Sequence, residues 1–436
     1  GGSNLGIVMR GADNCIIRNN VFSGHSNISI FGENNSSNCL IEGNTITATD
    51  GNSGAHGIAF HGTTSSQNVD RTRIIGNDIT IANAASFGIE VGAFGGNNPD
   101  QVVVSGNVIT GGAAAHGGGI SFSSVDGGTI TGNSYDSNAQ TVTIAGIEVV
   151  ASTNVTVGSN QVLGAAGLLS GITLNRSSYC SVAGNVIDGF GNATNDRGIY
   201  IFSNNDTLNT QSNSVNGNTI RFGASSGTNH KGIYLQCNNA STDCSNNSII
   251  GNIIHGNSGA ATRGIAIQHD AGTLDRTLIL GNQILNVLIG IDRESGQTGT
   301  QILENVFGGI GSSDLGGTAG SGEVAVRLNP VLGQLNIASQ LQLASGVLKD
   351  GGGFKHARIA SGTTAASLHA TASATWTFTT AFADANYTLT ATIDNPTGIP
   401  IVAHTDNKVA GSIDIIIMAG SAAAASGTLN CIAIHD

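Results

Sequence analysis

The sequence predicts an all-β chain, a parallel β-helix of about eleven coils followed by a small antiparallel β-sandwich. Three observations predict it. The motif Gly-Asn-X-Ile recurs, with looser copies, at intervals of 23 to 34 residues. A second motif, Gly-Ile-X-apolar, follows each copy by roughly a dozen residues, and residues 1–310 show no helical period. A repeat this short cannot bury its own inner face, but stacked repeats share one continuous core.

The Asn of the first motif marks the phase of each coil. It occurs eleven times, at Asn20, Asn44, Asn77, Asn107, Asn133, Asn160, Asn185, Asn218, Asn252, Asn282 and Asn305. Ile or Val stands three residues before each Asn, and a large apolar residue stands two after it. We expect this Asn to sit at a bend in the left-handed conformation and to join equivalent residues above and below in an internal ladder. The ladder is a structural role rather than a binding one.

The second motif predicts strands with one face inward and one in solvent, because its apolar residues alternate. It is seen at Gly57-Ile58, Gly88-Ile89, Gly119-Ile120, Gly146-Ile147, Gly171-Ile172, Gly198-Ile199, Gly232-Ile233 and Gly264-Ile265. The segments that follow differ in length, and extra residues cannot enter a packed coil. Surface loops are therefore predicted at residues 61–72, 92–102, 203–213 and 236–247, with a groove between them.

The composition and charge of the chain exclude several classes of binding partner. The 436 residues carry a formal charge of −12 and no basic run, which argues against a nucleic-acid or anionic-membrane partner. No apolar stretch is long enough for a membrane span, and the start within a strand suggests that an N-terminal part is missing. Cys237 and Cys244 could form a local disulfide outside a cell. No second Cys or His pair stands at ligand spacing, so neither a metal site nor a cofactor is predicted.

Solvent-facing residues of the Gly-Ile strands should align coil by coil, about 4.8 Å apart. That outward column comprises Ala59, Glu90, Ser121, Glu148, Thr173, Tyr200, Tyr234, Ala266 and Asp292. Glu90 and Glu148 fall two coils apart, and Glu148 and Asp196 are similarly spaced. Such a separation is near the upper limit for an inverting glycosidase, so these three carboxylates are the candidate catalytic residues.

A basic column precedes three of the same strands, as Arg197, Lys231 and Arg263. With Arg176, Tyr200 and Tyr234, the first two are candidate polysaccharide-binding residues. Arg197 or Lys231 could alternatively neutralise a uronate and assist proton abstraction beside it, as β-elimination requires. The simpler interpretation is that these side chains pair only to solvate one face.

The pattern changes after residue 310. Residues 311–353 are interpreted as a Gly/Ser linker and a neck whose apolar residues, from Leu335 to Leu348, would pack against other copies of the chain. Residues 354–436 alternate in the antiparallel manner and predict a β-sandwich for trimerisation or receptor binding.

Residues 1–310, with their Gly-Asn-X-Ile and Gly-Ile-X-apolar strands, resemble the right-handed β-helix of the pectate-lyase-like superfamily. The tail, with the segments Trp376 to Tyr387 and Ala425 to Ile434, looks like the domains that follow such helices in phage tailspikes and tail fibres. The resemblance implies a homotrimer on the virion tail, outside the cell, that binds bacterial surface polysaccharide and often cleaves it. The Asp-Pro-His signature of alginate epimerases and the clustered-Asp calcium site of pectate lyases are absent, so no catalytic residue is carried over. A non-catalytic receptor-binding or structural fibre and a secreted bacterial polysaccharide lyase are the alternatives.

Overall fold

The structure is a computed structural model of the 436-residue chain. It describes residues 5–319, 323–329 and 334–336 apart from the segments 49–55, 63–68, 82–86, 96–97, 113–114, 165–168, 191–194, 204–207, 224–228, 258–261 and 295. Beyond these it describes six strands between residues 354 and 435. Two compact units result, Gly1–Ile337 and Ala338–Asp436.

The first unit is the predicted parallel β-helix. Each coil contributes one strand to each of three sheets, and consecutive coils pair in parallel. The exception is the last pair of the 13-stranded sheet, in which Gln334–Asn336 runs antiparallel to Val324–Asn329. The sheets contain 12, 13 and 11 strands, so the number of coils differs slightly from the predicted eleven. No helix that could span a membrane occurs in the described part of the chain.

Sheet A contains the Gly-Ile motif strands. Its members are Ile7–Arg10, Ile30–Glu33, Ile58–Gly62, Phe87–Ala93, His116–Ser123, Val142–Val150, Ser170–Asn175, Arg197–Ser203, Lys231–Asp243, Arg263–Thr273, Ile289–Arg293 and Ser313–Gly317. Lys231–Asp243 covers most of a predicted loop, residues 236–247, and pairs along its length with Arg263–Thr273. Two adjacent insertions satisfy each other's backbone groups in this way, which a single exposed loop could not do.

Sheets B and C are narrower and carry the Ile/Val and the large apolar positions that flank each marker Asn. Sheet B comprises Ile16–Arg18, Leu40–Glu42, Arg73–Ile75, Val103–Ser105, Thr129–Thr131, Thr156–Gly158, Ser181–Ala183, Ser214–Asn216, Ser248–Ile250, Leu278–Leu280, Gln301–Leu303, Val324–Asn329 and Gln334–Asn336. Sheet C comprises Val21–His25, Thr45–Ala48, Asp78–Ile81, Val108–Gly111, Ser134–Asp136, Gln161–Leu163, Val186–Phe190, Thr219–Phe222, Ile253–His255, Gln283–Leu285 and Val306–Gly308. The inward residues of all three sheets form a single apolar core.

The marker Asn residues form the predicted ladder from Asn20 to Asn305. Asn185 shows the pattern: its Nδ2 donates to the Val157 carbonyl at 2.9 Å and to Asn218 Oδ1 at 2.9 Å. Its Oδ1 accepts from the backbone N and the Nδ2 of Asn160 at 2.9 and 3.0 Å. Every buried polar atom of this side chain is therefore used, which fixes one coil on the next.

The expected left-handed conformation of the marker Asn is wrong. The residue before it has positive φ in each copy, for example 62° at Gly43 and 65° at Gly184. Glycine stands there in eight of the eleven copies because it adopts this region without steric cost. The Gly and the Asn of the motif thus have separate roles, the turn and the ladder.

Four of the cysteines are buried in the core, and the disulfide considered for Cys237 and Cys244 is not formed. Cys39 and Cys180 are buried in the core cluster. Cys237 and Cys244 are present as free thiols. The hydrogen bond between these two thiols lowers the pKa of Cys237 to about 7 and raises that of Cys244.

The second unit contains two three-stranded antiparallel sheets, as predicted for residues 354–436. One has the order Phe354–Ala360, Ser426–His435, Tyr387–Thr397, and the other Thr371–Thr377, Ser412–Ala419, Pro400–Val409. Most of the predicted apolar neck lies outside the described residues.

Candidate functional site

The outward column of sheet A has the register that the sequence predicts. Glu90 pairs with Ser121, Ser121 with Glu148, Glu148 with Thr173 and Thr173 with Tyr200. The column continues through Tyr234 and Ala266 to Asp292. From Glu90 to Asp292 the column crosses seven inter-strand steps, roughly 34 Å at the usual strand spacing. It forms one continuous strip along the axis of the solenoid.

Glu90 and Glu148 are separated by the single rung of Ser121. Two strand spacings place their backbones roughly 10 Å apart. The Ser121 side chain is short, so it leaves space between the two carboxylates, and its Oγ donates to Glu148 Oε2 at 3.3 Å. Two acidic groups thus face each other across a small gap on the strip.

Two histidines hold Glu90. His56 Nε2 and His61 Nε2 lie 3.1 and 2.8 Å from Glu90 Oε2, and the Glu90 side chain is only 13% exposed. The His56 Nδ1 accepts a hydrogen bond from the Phe87 backbone N, so its proton resides on Nε2 and points at the carboxylate. Burial, with a contribution from the charge of His61, lowers the pKa of His56, and the charge of Glu90 opposes that shift.

The environment keeps Glu90 ionised. Burial alone would raise the pKa of Glu90, but the hydrogen bond from His61 and the charges of the two histidines outweigh it and lower the pKa below its ordinary value of 4.5.

Glu148 has the opposite environment. Burial raises the pKa of Glu148 to about 7, and the charge of Glu90 adds to that rise. The Ser121 hydrogen bond and the charge of Arg176 offset only part of it. At neutral pH the strip therefore presents one carboxylate, Glu90, and one carboxyl group, Glu148, that is protonated in about half of the molecules. The environment sets these two different roles.

We expect the substitution Glu148→Gln to stabilise the fold above neutral pH. A carboxyl group whose pKa is raised in the folded state contributes stability below its unfolded value near 4.5 and loses it as pH rises through about 7. The free energy of unfolding of the variant should exceed that of the wild type by on the order of 3 kcal/mol at pH 8 and by almost nothing at pH 4. Denaturant unfolding at both pH values measures the difference. Equal gains at pH 4 and pH 8 would show that Glu148 is not forced to ionise against its environment.

Asp196 is not brought to this strip. Its side chain is wholly buried in the turn that precedes the strand Arg197–Ser203, and its backbone carbonyl accepts a hydrogen bond from Lys231 N. The next residue but one, Gly198, also faces the interior, because a Cβ there would meet Ile220. The strict alternation of inward and outward side chains assumed from the sequence therefore fails at Gly198. Because the Asp196 side chain is buried, a polysaccharide in solvent cannot reach its carboxylate.

Aromatic and cationic residues form the next section of the strip. The rings of Tyr200 and Tyr234 are stacked, with centroids 5.0 Å apart, and Phe202 stacks on Tyr200 at 4.0 Å. The tyrosine hydroxyls donate to Gln236 and Gln268. These contacts fix a buried aromatic cluster, in which Tyr200 and Tyr234 are only 8% and 3% exposed. Their ring faces are covered by each other and by Phe202.

The basic column lies beside this aromatic cluster in the predicted register. Arg197 pairs with Lys231 and Lys231 with Arg263. The Arg197 guanidinium lies 4.1 Å from the centroid of the Tyr200 ring, and Lys231 Nζ lies 4.6 Å from that of Tyr234. The charge of Arg176 acts on Glu148, where it offsets part of the rise in the pKa.

The sequence interpretation missed His56 and His61. Both were visible in register: His56 precedes its Gly-Ile strand at the position that Arg197, Lys231 and Arg263 occupy in later coils. His61 follows Ala59 by two residues and so faces the same side. Within the described residues, no group of three or more His, Cys, Asp or Glu side chains is placed to hold a metal ion.

The fold and this strip define an extended β-solenoid with a polar and aromatic surface along its axis, and the fold matches that of phage tailspike proteins. One similar structure is a double mutant of the tailspike protein of E. coli bacteriophage HK620, with 10% sequence identity and a TM-score of 0.54. The alignment covers 96% of this chain and 87% of the HK620 chain. Two other mutants of that tailspike, each in complex with a pentasaccharide, have TM-scores of 0.53 and 0.52 at 10% and 11% identity, covering 96% of this chain and 85% of theirs. The sequence matches no protein-family model and no curated protein.

Proposed function

We propose that this chain is a tailspike-type protein that binds bacterial surface polysaccharide along sheet A and hydrolyses it. The observation that carries the proposal is the pair Glu90 and Glu148, whose pKa values are moved in opposite directions by their surroundings. The pentasaccharide complexes of a tailspike with the same fold support a carbohydrate as the ligand.

In the proposed reaction, the polysaccharide lies along the strip with the bond to be cleaved above Ser121. Glu148 donates its proton to the leaving glycosidic oxygen while the C–O bond breaks. The ionised Glu90 accepts a proton from a water molecule, and the oxygen of that water forms the new bond at the anomeric carbon. The two strand spacings between Glu90 and Glu148 leave room for the water molecule that an inverting enzyme holds between its carboxyl groups.

Tyr200 and Tyr234 are proposed to meet the polysaccharide through their outer edges, with Arg176, Arg197 and Lys231 as polar partners, because the ring faces are already covered by stacking. The charged groups would bind polar substituents of the sugar. The stacked cluster is formed before the polysaccharide binds, which reduces the entropic cost of binding.

Incubation with a panel of bacterial capsular and lipopolysaccharide O-chains tests the proposal. We expect new reducing ends from at least one polysaccharide and no ultraviolet absorbance from an unsaturated uronate. Binding without any product would instead indicate the non-catalytic receptor-binding fibre.

A polysaccharide lyase is the second candidate, because one observation favours it. Arg176 carries a buried Nε for which no hydrogen-bond partner is found among the described residues, and its charge reaches Glu148. A uronate carboxylate at Arg176 would be neutralised next to a base of raised pKa, as β-elimination requires. In the assay above, this reaction would give an unsaturated product that absorbs in the ultraviolet.

The pH dependence of cleavage should be bell-shaped. Activity requires Glu148 to be protonated, so it should fall as pH rises above about 7. Activity also requires Glu90 to be ionised, so the acid limb should lie below the ordinary glutamate pKa of 4.5. Initial rates measured between pH 3 and pH 9 check both limbs. A rate that keeps rising above pH 8 would contradict the assignment of Glu148 as the acid.

The proposal includes assembly as a homotrimer on the virion tail, outside the cell. It is supported by the apolar residues of the sequence between Leu335 and Leu348, which a single chain would expose. Light scattering should give three times the chain mass of 43.7 kDa. A mass of one chain would favour a secreted bacterial enzyme.

A further inference from the structure

A cavity of about 230 Å³ opens on the same strip, three to four rungs beyond Glu148. Its lining includes Tyr234, Ala266, Lys231, Arg263 and Gln268. The cavity exists because the column changes from tyrosine at Tyr234 to alanine at Ala266, whose short side chain cannot fill the rung. Its volume is below the roughly 300–1,000 Å³ of ordinary small-molecule pockets, so it suits one sugar unit rather than a long ligand.

Lys231 and Arg263 bring positive charge to one edge of the cavity, and Arg197 lies one rung beyond Lys231, outside the lining. Arg197, Lys231 and Arg263 occupy successive rungs, so each charge lies about one strand spacing from the next. Arg263 forms an ion pair with Asp292, but no carboxylate among the described residues lies within ion-pair distance of Lys231. Like charges this close repel, and a bound anion between them would remove that repulsion.

Lys231 is the residue at the centre of this edge. It is only 7% exposed, and its Nζ makes only long hydrogen bonds, of 3.5 and 3.4 Å, to the carbonyl and side-chain oxygens of Asn229. Burial, followed by the charges of Arg263 and Arg197, lowers the pKa of Lys231 to about 8, and the charges of Asp292 and Glu294 offset only part of this shift. A buried ammonium with weak partners is a group that gains from a charged acceptor.

Another edge of the cavity is acidic, because its lining also includes Asp292 and Glu294. Glu294 lines the cavity, and Asp270 accepts hydrogen bonds from the Nε2 atoms of Gln236 and Gln268, both at 2.7 Å. Burial and the carboxylates of Asp270 and Asp292 raise the pKa of Glu294. Carboxylates at this edge can accept hydrogen bonds from sugar hydroxyls.

We propose that this cavity is an acidic-sugar subsite, which binds a carboxylate-bearing residue of the polysaccharide with the carboxylate at Lys231 and its hydroxyls toward Glu294. The inference rests on the proposed polysaccharide function and adds a substrate class, an acidic polysaccharide. Because the subsite lies roughly 14–19 Å from Glu148, its carboxylate is recognised away from the bond that is cleaved. It selects the substrate and takes no part in the chemical step.

The first test compares native and carboxyl-reduced polysaccharide. Any panel polysaccharide that binds is treated with carbodiimide and borohydride, which converts its uronates to neutral sugars, and affinities are measured for the Glu148→Gln variant so that nothing is consumed. We expect the reduced polymer to bind about 10- to 100-fold more weakly, as for the loss of a charged hydrogen bond. Lys231→Gln should weaken the binding of the native polymer by a similar factor. The matched control is Arg221→Gln, which removes one exposed cation on sheet C and should change nothing.

Equal affinity for native and reduced polymers, or undiminished affinity in Lys231→Gln, would overturn the subsite and leave the proposed hydrolysis intact. Conversely, the polysaccharide could bind in a carboxylate-dependent way and yield no cleavage products. That result would reject the proposed hydrolysis and support the subsite. Lys231→Gln should fold, because it replaces a buried charge with a neutral group.

The second test needs no polysaccharide. The chain has only four lysines, at Lys231, Lys349, Lys355 and Lys408, so ε-¹³C-lysine labelling gives a spectrum that single substitutions can assign. Titration with glucuronate, galacturonate and mannuronate should raise the pKa of Lys231 for at least one of them, while glucose, galactose and mannose should leave it unchanged. A Lys231 signal that responds to none of the three acids would overturn the proposal.

Discussion

Replacing Glu148 by glutamine is expected to slow polysaccharide cleavage by about 10²–10⁴-fold while binding stays within about twofold of the wild type. Glutamine has nearly the same shape and can accept the Ser121 hydrogen bond, but it has no proton to give to the leaving oxygen. Reducing-end assays and isothermal titration with the same polysaccharide measure the two quantities.

The matched control is Glu304→Gln, since Glu304 lies before Asn305 at the end of sheet B, away from the strip. It should retain full activity. If Glu148→Gln also retains it, the acid lies elsewhere and the assignment is wrong. Glu90→Gln should give a loss of similar size, and the loss in the double variant should be smaller than the product of the two single losses, because the residues act in one step.

The substitution Asn185→Ala is expected to destabilise the β-helix by about 3–5 kcal/mol. It deletes four hydrogen bonds and leaves the Asn160 backbone N and the Val157 carbonyl buried without this partner. Each such unsatisfied group costs about 1–3 kcal/mol, and a small cavity adds to that. Denaturant unfolding monitored by circular dichroism measures the change.

Asn216→Ala is the matched control, because Asn216 ends the strand Ser214–Asn216 of the neighbouring coil with its side chain exposed. We expect a change within about 0.5 kcal/mol there. A loss at Asn185 of under 1 kcal/mol would mean that the ladder adds little to the stacking of apolar residues.

The fold follows from the sequence because one physical constraint repeats. Each coil places Ile or Val, then a turn, then Asn, then another large apolar residue, and only a parallel stack brings those positions together. The strand register that aligns Glu90, Ser121 and Glu148 follows from the same repeat, and the structure shows this register. What the repeat does not specify is the turn geometry, and the left-handed residue proved to be the one before Asn.

The chemistry of the site depends on surroundings that periodicity does not describe. The roles of Glu90 and Glu148 differ because His56 and His61 contact one and not the other. Asp196 is buried because inward and outward side chains stop alternating strictly at Gly198, which also faces the interior. A strict two-residue period cannot predict this change. The cavity at Ala266 depends on the width of its neighbours and on the paired insertions beyond them, neither of which is readable from one coil.

The most direct test of the central claim is the anomeric configuration of the first product. Proton NMR recorded during the first minutes of cleavage, before mutarotation, reports whether the new reducing end has the configuration of the bond that was cut. With Glu148 as acid and Glu90 as base on either side of a water molecule, the account predicts inversion. Retention of configuration would contradict it, because a retaining enzyme needs its two carboxyl groups only about 5 Å apart and a covalent intermediate on one of them.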